Sequence, residues 1–318
     1  MATHGSRNAI GMVGLVVTVA VVVASLTVAV AWLLLPSPTI ADHPTAASDT
    51  PPVVQHLAVP AYVHPVAAAS SWEQLGASPP GAVGIVVANV ANGPGARPNA
   101  DWAAVIHAAR VSGSRVLGYV DTGYLGSPSI AHADGLPTRA GAFGPQAWLS
   151  QIQADIDAWY RSYGADLGGI FLDQSTSACG PTPGSNRYAD AYRSLRDRLQ
   201  VARPGSVTVL NPGIAVPRCY AAAADVLVTF EGSYANYTGA PDVLGQDYEP
   251  LHWTPTGAGR IWHIVYGAPS TEEMEHAMTL SRQRGAGYVY VTDAGLPNPF
   301  GALPPADYWA AEVAQRAR

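Results

Sequence analysis

GGIFLDQ, Gly168 to Gln174, is the stretch on which the fold turns. It is a short run of apolar, β-type residues bounded by glycines, which reads as a buried strand. The strand then stops on a carboxylate and an amide. A charge closing an apolar strand is costly unless it is paired or used. A second stretch, DVLVTFEGSY from Asp225 to Tyr234, does the same with Glu231. If both are strands of one barrel, their carboxylates face one mouth.

Working outward, the same unit recurs: a short apolar run, a loop, then a helical stretch. The runs are HLAVPAY (56–62), GAVGIVVANV (81–90), SRVLGYVDT (114–122), GGIFLDQ (168–174), SVTVLNPG (206–213), DVLVTFEGS (225–233), RIWHIVYGA (260–268) and AGYVYVTDA (286–294). Between them, PQAWLSQIQADIDAWYRSYG places Trp148, Ile152, Ile156 and Trp159 on one helical face, with Pro145 in the first turn. Asn99 is a candidate cap for the helix before Gly113, and Tyr188, Tyr192, Leu195 and Leu199 share a face. Ser270 followed by Glu273 makes a capping-box pattern. The segments after the first, fifth and sixth strands are weaker helix formers. Alternating strands and helices imply parallel strands with helical crossovers. Eight units favour an α/β fold of the (β/α)8 TIM type. A doubly wound open sheet is the competitor, but no G-x-G-x-x-G follows the first strand.

In such a barrel, catalytic groups lie at the C-terminal ends of strands. Polar residues collect there: Tyr62, Asn89, Asn92, Asp121, Tyr124, Asp173, Gln174, Asn211, Glu231, Tyr266 and Asp293. Strand alternation puts Phe171 and Gly169 inward with Asp173, and Tyr119 inward with Asp121. It likewise puts Thr229 and Leu227 inward with Glu231, leaving Phe230 and Val228 for helix packing. Asp293 is ambiguous.

Composition bounds the partners. The 318 residues are 48% hydrophobic and 13% charged, with a formal net charge of -6 and no run of Lys or Arg. Nothing here builds the basic surface that nucleic acid requires. Residues Ala9 to Leu35 carry no charge; Arg7 precedes them, and Asp42 and Asp49 follow. Such a run is long enough to span a bilayer, and the flanking charges place the N-terminus inside. Ala29-Val30-Ala31 resembles a cleavage site, but the run continues through Trp32-Leu33-Leu34-Leu35, which favours an uncleaved anchor. The domains are therefore expected as a cytoplasmic stub and transmembrane anchor at 1–35, a Pro-rich tether at 36–55 and a barrel at 56–318, extracytoplasmic in either case. There the only two cysteines, Cys179 and Cys219, are expected as a disulfide between loops, the alternative being two buried thiols. No metal site or cofactor is implied, since two cysteines without clustered histidines do not make one.

Asp173 and Glu231 sit two strands apart, so their carboxyls fall within the range that glycosidases use, retaining or inverting. Rim tyrosines Tyr62, Tyr124, Tyr234 and Tyr266 suit stacking on sugars, and Asn89, Asn92 and Asn211 suit bonding to hydroxyls. Plainer roles stand beside these. Asp173 also fits an acceptor for loop amides, Glu231 a partner of Arg218 or Arg260, Asp121 a structural cap, and His263 a core residue. No nucleophile elbow G-x-S-x-G is present.

Taken in order, VPAYVHP, NVANGPG, VLGYVDTGY, GIFLDQ, NPG and VTFEGSY resemble the spherulation-specific family 4, from about Val59 to Asp293. The resemblance implies a (β/α)8 barrel. It also implies, from fungal members, hydrolysis of α-1,4-linked N-acetylgalactosamine in galactosaminogalactan. It implies functional acids at an Asp-Glu pair ending the fourth strand and a Glu ending the sixth. Asp173 and Glu231 match; the second acid of the pair is Gln174 here, and an amide cannot exchange a proton as a carboxyl does. Two readings follow, a surface-anchored glycoside hydrolase or a non-catalytic glycan-binding barrel. The polysaccharide is the expected partner, and no oligomeric state is implied.

Overall fold

The computed structural model describes residues 55–128, 133–240, 245–257 and 259–316. The expected anchor, and all of the expected tether except Gln55, lie outside these residues. Among the described residues no helix is long and apolar enough to cross a membrane.

The eight apolar runs form eight parallel strands: β1 (His56–Ala61), β2 (Val83–Ala88), β3 (Arg115–Asp121), β4 (Gly169–Asp173), β5 (Val207–Leu210), β6 (Val226–Ser233), β7 (Ile261–Tyr266) and β8 (Tyr288–Val291). They pair in sequence order and close, β8 against β1, so the open-sheet alternative is excluded. Outside run α1 (Ala69–Gly76), α2 (Ala100–Val111), α3 (Pro145–Tyr163), α4 (Arg187–Ala202), α5 (Tyr234–Thr238), α6 (Thr271–Gln283) and α7 (Ala306–Gln315). The weak segments are indeed short. After β1 the helix has 8 residues and after β6 only 5. After β5 there is a 3₁₀ turn, Arg218–Ala222.

Local chemistry explains the helix starts. The Asn99 side chain accepts from Trp102 N at 3.1 Å, and Ser270 with Glu273 forms the reciprocal capping box. The apolar face of α3, Trp148, Ile152, Ile156 and Trp159, is buried. Trp159 fits against β3 because residue 118 is glycine: a Cβ there would lie 2.5 Å from the indole. The indole N–H donates to the Tyr119 carbonyl at 2.7 Å. That contact fixes the strand position from which Tyr119 projects inward.

The interior register follows expectation on β3 and β4. Tyr119 pairs with Phe171 and Asp121 with Asp173. The Phe171 ring meets Tyr119 at 6.4 Å and Trp262 at 5.5 Å between centroids. On β6 the expected alternation is wrong. Its pairing with β7 slips between Val228 and Phe230, so Val228 pairs with Trp262 while Glu231 pairs with Ile264. Val228 therefore shares the inward side with Trp262. Leu227 pairs with Leu210, which pairs with Leu172 on the helix-facing side. Thr229 is the extra residue of a β-bulge. Such a residue breaks the two-residue alternation. Leu227, Val228 and Thr229 are all nearly fully buried, so polarity alone carried no sign of it.

Cys179 and Cys219 are disulfide-bonded, with 5.9 Å between Cα atoms, joining the loops after β4 and β5. Closing a 40-residue separation stabilises by roughly 3–4 kcal/mol on the chain-entropy account.

Candidate active site

Asp173 ends β4, and its carboxylate is enclosed by donors. Tyr119 Oη donates to Oδ2 at 2.8 Å, and Asn211 Nδ2 donates to Oδ1 at 2.7 Å. Asn211 follows β5 directly, and the same amide nitrogen also donates to Glu231 Oε2 at 2.5 Å. One amide thus joins both carboxylates, each taking one of its two protons. The bonded oxygens can be no farther apart than those two bonds end to end, about 5 Å.

The segment Asn211-Pro212-Gly213 does a second job. Glu231 N donates to the Gly213 carbonyl at 2.8 Å, which anchors the end of β6 to the loop after β5. Gly213 has φ +70°, and a Cβ there would lie 3.6 Å from the Glu231 Cβ. That contact is an ordinary one, so what the glycine supplies is the left-handed turn.

Gln174, the amide after Asp173, has φ +50°, a left-handed conformation rarely adopted by residues other than glycine. Its carbonyl accepts from Tyr124 N at 2.7 Å and from Thr122 Oγ1 at 2.8 Å, and the same hydroxyl lies 2.8 Å from the Asp173 carbonyl. Such strain persists where the surroundings over-determine it. Thr122, fully buried, is part of that constraint.

Burial, then the Asp173 charge, push Glu231 up to about 7, with the Asn211 bond opposing. Burial also raises Asp173, but three bonds favour its ionised form, from Tyr119, the Gln174 backbone and Asn211. These bonds favour the ionised form at Asp173, and its charge in turn favours the protonated form at Glu231. Burial and the Asp173 charge raise the Tyr119 phenol far above its ordinary range, so it remains a donor.

The other rim residues divide by position. Tyr62 lies edge-on to Tyr119 at 5.3 Å and to Phe300 at 5.7 Å. Tyr124 is 43% exposed, and partial burial, then the charges of Asp173, Glu231 and Asp121, raise its phenol. It lines a groove of about 750 Å³ with Ser175, Thr176, Ser177, Tyr188 and Pro212. Tyr266 pairs with Ser233, on the side Glu231 faces. Asp293 follows the end of β8, half-buried. Asp121 accepts from Gly123 N at 2.8 Å, and Asn89 from Gly93 N at 3.0 Å, each holding a turn. Asn92 is exposed in the latter turn with φ +51°. Tyr234 Oη is hydrogen-bonded to His276 Nδ1 on α6 at 2.8 Å. Arg260 bonds the carbonyls of Ala224 and Asp225, and Glu231 has no ion pair among the described residues. No group of three His, Cys, Asp or Glu able to hold a metal ion occurs among the described residues.

Two neighbours of the acids escaped the sequence reading as site residues. Tyr119 was legible in principle, since it lies inward two residues before Asp121. Thr122 was not, because its partners are carbonyls that only the fold brings near.

The family model for spherulation-specific family 4 matches residues 56–315. No curated protein matches the sequence significantly. Among solved structures, Sph3 from Aspergillus clavatus, crystallised with GalNAc, is similar with a TM-score of 0.60 and 20% identity, over 83% of this chain and 98% of that one. The glycoside hydrolase domain of PelA from Pseudomonas aeruginosa gives 0.42 and 16%, over 75% and 95%. A chitinase from Rhizomucor miehei gives 0.43 and 9%, over 82% and 99%. At 20% identity the likeness to Sph3 shows a shared fold. The match of the family model to nearly all of the described barrel decides the relationship: the chain belongs to the spherulation-specific family 4.

Proposed function

We propose that the protein is a glycoside hydrolase acting on α-1,4-linked galactosamine or N-acetylgalactosamine polysaccharide. The observation that carries the reaction class is the Asn211 amide shared by Asp173 and Glu231. A separation of at most about 5 Å between the bonded oxygens suits retaining glycosidases, where one carboxylate attacks carbon directly, and falls short of the ~6.5–9.5 Å that inverting pairs need to admit water. Glu231, the protonated member, gives its proton to the leaving glycosidic oxygen. Asp173 attacks the anomeric carbon as that bond breaks, forming a glycosyl ester. Water then attacks the same carbon while the Glu231 carboxylate takes its proton, and Asp173 is released. The groove beside Tyr124 receives the sugar chain. The substrate class draws its support from the family and from the amino sugar bound by Sph3. The charge-free run from Ala9 to Leu35 supports a membrane-tethered, extracytoplasmic location.

The test is digestion of acetylated and deacetylated α-1,4-galactosamine oligomers, with product anomers followed by proton NMR. Cleavage with retained configuration is expected. Inverted products would reject Asp173 as the nucleophile. Gln174, an amide where family resemblance implies an acid, favours one second reading, a barrel that binds glycan without cutting it. Tight binding without cleavage, with turnover appearing in Gln174→Glu, would select that reading.

A further inference from the structure

Glu231 reaches the mouth only because β6 carries a bulge, so whatever holds the bulge places the carboxylate. Were Thr229 in regular register rather than bulged, the alternation that puts Val228 inward would turn Phe230 inward and Glu231 toward the helices. The bulge residue Thr229 is bonded to His263 of β7, Oγ1 to Nε2, at 3.1 Å. The other ring nitrogen, Nδ1, lies 2.7 Å from Tyr237 Oη on α5. Tyr237 is held in turn by Arg284, which donates to its carbonyl at 2.7 Å and stacks over its ring at 4.3 Å. Phe230, facing outward, packs 4.7 Å from the Tyr237 ring and 6.5 Å from the imidazole.

A buried chain of three polar side chains is an expensive way to fill space between a sheet and its helices. Apolar side chains of like size would fill that space without desolvating polar groups. What the chain provides is a directional bond to the one residue of β6 that is out of register. Burial and the Arg284 charge lower His263 to about 3, so the ring is neutral and its two nitrogens differ, one donor and one acceptor. Either tautomer completes the chain from Tyr237 to Thr229.

We propose that His263 is a positioning residue for Glu231: through Thr229 it holds the β6 bulge that turns the carboxylate into the mouth. The inference rests on the assignment of Glu231 to the chemistry, but its geometry can be read without turnover. Burial sets the Glu231 titration first, and the groups that act on it are Asp173 and the Asn211 amide. Tyr62, Tyr119 and Tyr124 also feel its charge.

The decisive variants are Thr229→Val, which keeps the shape and deletes the hydroxyl, and Thr229→Ser, which restores it. Glu231 is followed by carbon-13 NMR titration, assigned with Glu231→Gln. In Thr229→Val and in His263→Phe its midpoint should move by about half a pH unit or more as the carboxyl leaves the Asp173 charge. Thr229→Ser should titrate as the wild type, and combining Thr229→Val with His263→Phe should add nothing to either alone. On a cleaved substrate, kcat should fall about tenfold or more with KM little changed, because small misplacements of a reacting group are costly. A folded Thr229→Val with an unshifted Glu231 titration would overturn the proposal, as would additive shifts in the double variant. A lower melting temperature with an unshifted titration would reduce His263 to a packing role. If the wild type cleaves nothing, the hydrolase reading fails, yet the titration still decides this one.

Discussion

Two glutamates of this barrel with raised carboxyls invite comparison. Glu231 lies near the end of β6 at the mouth, half-buried; Glu312 lies on α7, fully buried against β8. Burial is the first cause of a raised pKa in both, to about 7 for Glu231 and about 8 for Glu312. Their surroundings separate them. Glu231 shares the Asn211 amide with a second carboxylate, beside the loop whose Pro212 lines a groove. Glu312 Oε1 accepts from Val291 N at 2.9 Å, beyond the two residues where β8 pairs with β1. Its Oε2 has no hydrogen-bond partner among the described residues. The Glu312 carboxyl completes a strand edge that β1 leaves open. A raised carboxyl is a sign of desolvation, and it becomes a sign of chemistry only where a partner and a path for substrate accompany it.

The comparison can be broken most sharply at Glu231. Glu231→Gln should lower kcat at least ~10²-fold, the usual cost of removing a general acid. Wild-type activity should also fall as pH rises through about 7, where Glu231 loses its proton. Circular dichroism should show the fold retained. Glu312→Gln should leave activity untouched and change stability instead. In the wild type the folded-state pKa lies near 8 against an ordinary 4.5. The acid is thus neutral when folded and ionised when unfolded over that window. Its contribution is full below about pH 4.5 and is lost as pH rises to about 8, a loss of a few kcal/mol. Glu312→Gln should flatten that slope and raise the melting temperature at pH 8. An unchanged slope would place the titrating group elsewhere. The smallest effect is expected at the groove: Tyr124→Ala should weaken binding of long oligomers several-fold, an aromatic–sugar contact being worth about 1 kcal/mol. A small aryl glycoside that does not enter the groove should be hydrolysed at the wild-type rate. Equal losses on both would move Tyr124 from the groove to the reacting centre.

How much of this was legible depends on the range of the signal. Asp173 was readable because its strand alternates regularly to the end, and the same rule brings Tyr119 beside it. Glu231 was readable as a strand end, but for a partly mistaken reason: Leu227 and Thr229 do not share its side. Asn211 was read as a residue for sugar hydroxyls, and the structure engages its amide with both acids. Its Oδ1 is buried and has no hydrogen-bond partner among the described residues. His263 was read as a satisfied core residue. It is buried and bonded on both nitrogens, yet its partner is the bulge.

By itself the sequence determined the architecture. Eight apolar runs separated by helical periods can bury their faces in few ways, and the closed parallel barrel is one that leaves no strand edge. It also determined which strand ends carry acids, because local hydrophobicity marks where each strand stops. Tertiary structure alone decided how β6 turns Glu231 into the mouth and which groups surround each acid. A bulge is a matter of pairing between strands, invisible in a run of residues that are all buried. A pKa is set by neighbours brought from β3, β5 and β6, far apart in the chain and within hydrogen-bond reach only after the barrel closes.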